Sequence, residues 1–202
     1  MIEHTLQISS DLSASFNVVN PNALCPWLIV VDHASANIPA QFDNLGLSSR
    51  DLGRHIAYDI GALAVAQLVA SQLQATLIYS KISRLVIDCN RPLTSSSLIP
   101  EAGDEGPVPG NASLSLTERK TRIDQYWQPY HDQIETIIET RLKRGLITHY
   151  VALHSMTNEL RGQRRLMDGA VLYRPPSQLG PQLASFWTQT HALNIAHNEP
   201  YK

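Results

Sequence analysis

Short apolar runs bounded by polar or turn residues predict the strands of this chain. The clearest is WLIVV at residues 27–31, a continuous apolar run that is typical of a strand covered on both faces of its sheet. The run is followed by Asp-His-Ala-Ser and then by Pro39, which blocks further strand pairing. The other predicted strands are residues 76–79, 85–87, 150–154 and, approximately, 170–173.

Amphipathic stretches between these runs predict helices. Apolar residues recur at helical spacing over residues 55–73. A longer helix is expected over residues 115–144; it opens with Ser-Leu-Thr-Glu, in which either hydroxyl can cap, and Gly145 ends it. Pro129 inside this helix predicts a kink or a break, and a last helix is expected over residues 179–193. Strands that alternate with helices favour an α/β fold, a three-layer sandwich in which a mixed, largely parallel sheet lies between helices.

Length, composition and charge narrow the class of protein. The 202 residues suffice for one substantial core, so we expect a single domain over residues 1–202. Hydrophobic residues make up 43% and charged residues 17% of the chain, which is a globular balance. The net charge of −2 provides no overall basic field, so neither nucleic acid nor an anionic membrane is expected as a partner.

Targeting signals and cysteines indicate the compartment. No apolar run reaches the roughly 18 to 20 residues that span a bilayer, and the first residues, MIEHTLQISSDL, lack the basic start and apolar stretch of a signal peptide. The chain contains two cysteines, Cys25 and Cys89, both in apolar contexts that indicate buried free thiols. We therefore expect a cytoplasmic protein.

A histidine follows each of two predicted strands. His33 comes just after the run at residues 27–31, and His154 closes the run at residues 150–154. Because the carboxyl ends of parallel strands share one edge of a sheet, the two imidazoles are expected to converge there. Two imidazoles suit a zinc ion, although each histidine alone is equally compatible with a hydrogen-bonded core or loop position. Asp32 is a candidate for an outer carboxylate that orients a ligand.

A second group of polar residues flanks the predicted strand at residues 85–87. Arg84 precedes it, and Asp88, Asn90 and Arg91 follow it. A planar guanidinium grips a carboxylate through two parallel hydrogen bonds, and an amide adds directional specificity. The group therefore favours an anion-binding site, against the alternative of an ordinary salt bridge.

Six short segments combine these candidate residues with turn residues in a fixed order along the chain. In sequence order the segments are DHASANIP, HIAYDIGA, SRLVIDCNRP, QPYH, ALHS and NEPY.

In this order and combination, the segments resemble the N-formylglutamate amidohydrolase family over roughly residues 27–201. That family is similar in fold to zinc carboxypeptidases and aspartoacylases, so the resemblance implies a phosphorylase/hydrolase-like three-layer fold. It also implies metal-assisted hydrolysis of an N-acyl amino acid such as N-formylglutamate, an acidic small molecule. In the relatives an Asn-Arg pair binds the substrate carboxylate, and Asn90 and Arg91 match this pair, with Arg84 expected to join them.

The resemblance implies that His33 and His154 are metal ligands and leaves the third ligand open. Carboxypeptidase-like sites place a glutamate three residues after the first histidine, and this chain has Ala36 at that position. We expect Asp59 to be the third ligand with Asp88 behind it, although a solvated helix position is the alternative for Asp59.

The identity of the general base is also open. A hydrolase of this kind needs a carboxylate that takes a proton from water and returns it to the leaving amine. Family members continue beyond the NEPY segment, whereas this chain ends at residue 202, so Glu199 is either this base or a bystander in a chain that lacks a C-terminal segment. His131 follows Tyr130 where the resemblance places a Tyr-His pair, with a polar helix-face residue as the alternative.

Two other functions remain as alternatives to the amidohydrolase. The first is a catalytically inactive relative that binds an acidic small molecule, which Ala36 and the early chain end favour. The second is a serine hydrolase that uses Ser35 or Ser155, which is disfavoured because no GxSxG motif surrounds either serine. The sequence leaves the oligomeric state open.

Overall fold

The computed structural model describes residues 15–103, 106–160 and 162–199. Contacts divide the chain into two units, of which the first ends at Met156 and the second begins at Thr157. The first unit contains, in chain order, strands β1 (Phe16–Val19), β2 (Trp27–Val31), β3 (Thr76–Ser80), β4 (Ala102–Gly103), β5 (Gly106–Pro107) and β6 (His149–Ala152), and helices α1 (Ser49–Leu52), α2 (Ala62–Leu73), α3 (Leu116–Arg122) and α4 (Gln128–Lys143).

The main sheet has four strands in the order β1-β3-β2-β6. β2 lies at its centre and pairs in parallel with both β3 and β6, whereas β1 pairs antiparallel with β3. The sheet is therefore mixed and largely parallel, as the alternation of strands and helices predicted. β2 has the bounds that its apolar run indicated.

Side chains of the central strands alternate between two apolar layers. Leu28 and Val30 face the layer that contains Tyr130, Ile134 and Ile137 of α4. This arrangement follows from the two-residue period of a strand, which sends successive side chains to opposite faces.

The opposite face of the sheet packs against α2. Ile29 and Val31 of β2 contact the alanines at positions 62, 66 and 70, which share one face of the helix and are buried. Small side chains at this spacing allow a helix to lie close to a sheet. With helices on both faces, the three-layer α/β fold is confirmed.

The long helix predicted over residues 115–144 forms as a continuous run with a change of winding in the middle. α3 and α4 are joined by a π-helical turn over Ile123–Trp127. Pro129 follows immediately; its ring would clash with the carbonyl of Gln125 in a regular α-helix, and the wider π turn relieves this clash. The predicted kink is thus realised as a π turn, and Gly145, with φ +69°, follows the end of the helix.

The predicted strand at residues 85–87 is wrong. The segment is a buried turn, and its carbonyl oxygens accept hydrogen bonds from side chains rather than from a neighbouring strand. Asn111 Nδ2 donates to Leu85 O over 2.7 Å, and Arg122 Nη1 donates to Val86 O over 3.0 Å.

The helix predicted from residue 55 begins seven residues later, at Ala62. Gly61, with φ +81°, directly precedes it in a conformation that other residues rarely adopt. Asp59 therefore lies in a loop and not on the helix.

The second unit contains a short parallel pair, β9 with β10, and a hairpin of β7 with β8. The predicted strand near residues 170–173 and the predicted helix over residues 179–193 are both present, with slightly different ends. Whether the chain is one domain over residues 1–202 stays a prediction. The elements of this unit are β7 (Glu159–Leu160), β8 (Gln163–Arg164), β9 (Gly169–Val171), α5 (Leu179–His191) and β10 (Ile195–His197).

Cys25 and Cys89 are free thiols, as expected, but Cys89 is buried whereas Cys25 is only partly buried. Among the described residues, no helix has both the length and the apolar character that crossing a membrane requires.

Candidate active site

His33 and His154 meet at the carboxyl edge of the main sheet. Each lies two residues beyond the end of its strand, β2 for His33 and β6 for His154. Because these strands are parallel neighbours, their ends coincide, and the two ring centroids are 5.0 Å apart. The expected convergence of the imidazoles is present in the structure.

Asp59 joins the two histidines from the loop before α2. Its backbone N–H donates to His33 O over 2.9 Å, which fixes the loop against the end of β2. The side chain is 2% exposed, which excludes the alternative of a solvated helix residue. Its Oδ2 lies 2.8 Å from His154 Nδ1 and 3.5 Å from His33 Nδ1. One ligand atom from each of the three residues lies within 4.8 Å of the others, so the group is able to hold a metal ion.

Two further carboxylates lie behind the histidines. Asp88 Oδ1 is 2.7 Å from His33 Nε2, and Asp32 Oδ2 is 3.6 Å from His154 Nε2. Because a carboxylate accepts hydrogen bonds, Asp88 favours a proton on Nε2 of His33, which leaves the lone pair of Nδ1 directed to the cluster. Tyr130 on α4 in turn donates from its hydroxyl to Asp32 Oδ1 over 2.8 Å.

The pKa values of these buried groups are displaced in consistent directions. Burial by itself would raise the pKa of both Asp32 and Asp88, but hydrogen bonds and attraction from His154 and His33 respectively bring each carboxyl pKa below its usual value. Burial lowers the pKa of His33, which favours a neutral ring, the form that binds metals.

The residues present fit a divalent cation. His33 Nδ1 is buried and makes no hydrogen bond to any group in the described part of the chain. Three carboxylates, of Asp32, Asp59 and Asp88, surround the two imidazoles, and the guanidinium of Arg84 contributes one positive charge by donating to Asp59 Oδ1. Two imidazole nitrogens with one carboxylate oxygen are a ligand set that zinc accepts, and a cation offsets the excess of buried negative charge.

Asn90 and Arg91 extend from a turn directly after Asp88, and both are exposed. Asn90 N donates to Asp88 Oδ1 over 2.8 Å, and Arg91 Nε lies 3.7 Å from Asp88 Oδ2. Asp88 therefore contacts His33 on one side and the predicted carboxylate-binding pair on the other. Arg84 contacts Asp59 instead, and its role in substrate binding stays a prediction.

Glu199 is exposed and follows β10 in the second unit of the chain. Its predicted role as the general base stays a prediction.

Sequence reasoning missed two contacts of this site. His55 Nε2 lies 3.6 Å from Asp59 Oδ1, and the four-residue spacing in HIAYD was the available signal. The bond from Tyr130 to Asp32 joins residues 98 positions apart, and no local pattern indicates it.

Comparison with known proteins identifies the family of the chain. The model of the family described as N-formylglutamate amidohydrolase matches residues 25–202. A gene product from Agrobacterium tumefaciens, known from its crystal structure, has 37% sequence identity to this chain. The two structures match with a TM-score of 0.88, and the match covers 93% of this chain and 74% of that chain. The N-formylglutamate amidohydrolase from Ralstonia eutropha has 22% sequence identity to this chain. Its crystal structure matches with a TM-score of 0.68 over 94% of this chain and 78% of that chain. At this identity the likeness supports the fold alone.

No curated protein is similar enough to the chain to count as a match. The family match covers most of the chain, and the resemblance carried by the six segments is confirmed. The chain belongs to the N-formylglutamate amidohydrolase family, hydrolases that act on carbon–nitrogen bonds other than peptide bonds.

Proposed function

We propose that the chain hydrolyses the amide bond of an N-acyl amino acid, N-formylglutamate first of all, with a zinc ion held by His33, Asp59 and His154. The observation that carries this proposal is the cluster of these three side chains, in which His33 and Asp59 are buried and His33 Nδ1 has no hydrogen-bond partner among the described residues. The family match supports the reaction, and the ligand chemistry supports the metal. The products would be formate and glutamate.

A zinc ion bound there would supply an activated water and would polarise the amide carbonyl. The chain's own residues do the remaining work. Asp88 holds the ring of His33, and Asp32 lies behind the ring of His154, so both Nδ1 atoms stay directed to the cluster.

Substrate binding is assigned to Asn90 and Arg91, with Arg84 as an additional positive group beside Asp59. The exposed amide and guanidinium of the pair would hold a carboxylate of the amino acid and so fix the scissile bond relative to the cluster. The free thiols Cys25 and Cys89 support a cytoplasmic location.

We assign the general base to Glu199, a carboxylate late in the chain. If this is correct, Glu199→Gln lowers kcat by about 100-fold or more, because general acid–base catalysis contributes roughly 100- to 10,000-fold. The measurement is formate release at saturating N-formyl-L-glutamate. A kcat within about twofold of wild type would identify Glu199 as a bystander.

The proposed function is tested on protein purified without a histidine tag. Treatment with a chelator should remove both metal and activity, and added zinc should restore one ion per chain together with formate release from N-formyl-L-glutamate. L-glutamate binding without hydrolysis, together with zinc that stays substoichiometric after metal is added, would favour the inactive binding protein. Hydrolysis that survives complete removal of metal would contradict the metal-dependent mechanism.

A further inference from the structure

Two aromatic side chains bond to the backbone of the turn that presents Asn90 and Arg91. Trp127 Nε1 donates to Arg91 O over 3.0 Å. His131 Nε2 lies 3.0 Å from Cys89 O, and because a carbonyl oxygen only accepts, this nitrogen carries the proton. The two carbonyl groups belong to the residues on either side of Asn90.

The two rings also stack on each other. Trp127 and His131 are four residues apart on a continuous helical run, which places them on one face. Their ring centroids are 3.9 Å apart with an angle of 34° between the planes. Each ring restricts the rotation of the other, so the two donors are held in place before any ligand arrives.

The position of this pair depends on the π-helical turn. The turn ends at Trp127, and α4 begins at the next residue. In a π turn each backbone N–H bonds to the carbonyl five residues earlier instead of four, which changes the direction of the side chains that follow. Such turns are frequent at functional sites. Pro129 requires relief of its clash at this point in the chain, so the sequence itself places the π turn here.

On its other side the same turn is held by Asp88. The Asp88 carboxylate accepts from Asn90 N, and the Asp88 carbonyl accepts from Arg91 N over 3.1 Å. The backbone of residues 88–91 is thus bonded from both sides, whereas the side chains of Asn90 and Arg91 face solvent.

We propose that Trp127 and His131 are positioning residues that fix the turn so that Asn90 and Arg91 are arranged for a substrate carboxylate before it binds. This inference rests on the proposed function, in which Asn90 and Arg91 bind that carboxylate. A preformed site binds more tightly because less ordering is required on binding. The pair acts through the backbone of the turn and touches neither the metal ligands nor the reacting bond.

The test uses Trp127→Phe, which keeps a stacking ring and removes the N–H donor, and His131→Leu, which removes the other donor. Each should raise KM for N-formyl-L-glutamate about fivefold, which corresponds to about 1 kcal/mol, the usual net contribution of one hydrogen bond. The value of kcat and the zinc content should stay near wild type. Calorimetry with L-glutamate should show the same loss of affinity, independently of turnover.

Two variants serve as controls. His131→Gln places an amide N–H donor near the position of the lost ring nitrogen and should restore most of the affinity. Trp27→Phe alters another tryptophan stacked on a histidine, His149, at a centroid distance of 4.9 Å and at the opposite end of β2 from His33; it should leave KM unchanged.

A double-mutant cycle with Arg91→Ala decides whether the pair acts through the turn. In the Arg91→Ala background, Trp127→Phe should add little to KM, because the guanidinium that it positions is gone. Additive losses, or KM values equal to wild type in both Trp127→Phe and His131→Leu, would overturn the inference and leave the proposed function standing. A wild-type protein that neither hydrolyses N-formyl-L-glutamate nor binds L-glutamate would overturn the proposed function and this inference with it.

Discussion

The two ends of the parallel strands both bury ionisable groups, and they do so in opposite ways. At the amino end of β2 and β6, Arg141 on α4 is 1% exposed and has no carboxylate partner in the described part of the chain. Its guanidinium is instead satisfied by neutral oxygen atoms: Thr148 Oγ1 at 2.9 Å, Ala23 O at 3.0 Å, Cys25 O at 2.6 Å and Ile147 O at 3.2 Å.

At the carboxyl end, buried acids and imidazoles gather around a histidine nitrogen that has no hydrogen-bond partner among the described residues. The Arg141 end is complete without any added group, so it stabilises the fold. The cluster of His33, Asp59 and His154 gains from an added cation, so it is suited to function. The distinction lies in whether the buried polar groups are satisfied, and not in how many of them are buried.

The largest expected effect is a loss of zinc binding that distinguishes the two ends of β6. His154→Ala should abolish zinc retention and hydrolysis while the fold persists, because it removes one of the three proposed ligands, just beyond the carboxyl end of β6. His149→Ala, at the other end of β6, is the matched control and should retain zinc. Metal analysis after gel filtration measures both, and undiminished zinc in His154→Ala would remove His154 from the ligand set.

Removing the Arg141 guanidinium should lower the stability of the fold and leave zinc binding intact, the reverse of the effect expected of His154→Ala. Arg141→Leu should lower the free energy of unfolding by about 3 kcal/mol, because the carbonyl oxygens of Ala23, Cys25 and Ile147 lose their buried donor. Zinc stoichiometry of the folded protein should be unchanged. Denaturant unfolding measures the first quantity; a loss of zinc binding without a loss of stability would reverse the roles assigned to the two ends.

Asp88→Asn should weaken zinc binding about 10- to 100-fold, the usual cost of losing an outer carboxylate that orients a ligand. The amide keeps the shape of the side chain, so the fold should be retained. Competition with a chromophoric chelator measures the affinity, and an unchanged zinc Kd would show that Asp88 does not act through His33.

Arg91→Ala should raise KM for acidic N-acyl substrates about tenfold, consistent with the loss of a charge-assisted bond worth about 1.5 kcal/mol or more. The effect on substrates with a neutral side chain should be smaller. Parallel assays with N-formyl-L-glutamate and N-formyl-L-methionine make the comparison, and equal effects on both would remove Arg91 from recognition of the acidic side chain.

Elements with strong local signals were predictable from the sequence. The bounds of β2 followed from its apolar run, and the meeting of His33 with His154 followed from the rule that parallel strands end at one edge. The segment at residues 85–87 was mistaken for a strand because an apolar run looks the same in a buried turn. The groups that satisfy its carbonyls, Asn111 and Arg122, are remote in sequence and give no local signal.

Asp59 was expected as the third ligand, a position that the resemblance left open, but its location in a loop was not expected. Apolar residues recur at helical spacing both in the loop and in α2, so this pattern does not indicate where the helix begins. Gly61, whose left-handed conformation separates the loop from the helix, leaves the pattern unchanged. The bonds from Trp127 and His131 to the turn at residues 88–91 were equally hidden, because they require the π turn that precedes α4.

Anomalous scattering at the zinc edge from a crystal of the zinc-loaded protein tests the proposed metal site directly. We predict one peak within about 2.0 to 2.2 Å of His33 Nδ1, His154 Nδ1 and an Asp59 carboxylate oxygen, the distances usual for zinc ligands. A peak bound elsewhere, or none at this cluster in a zinc-saturated and active protein, would contradict it.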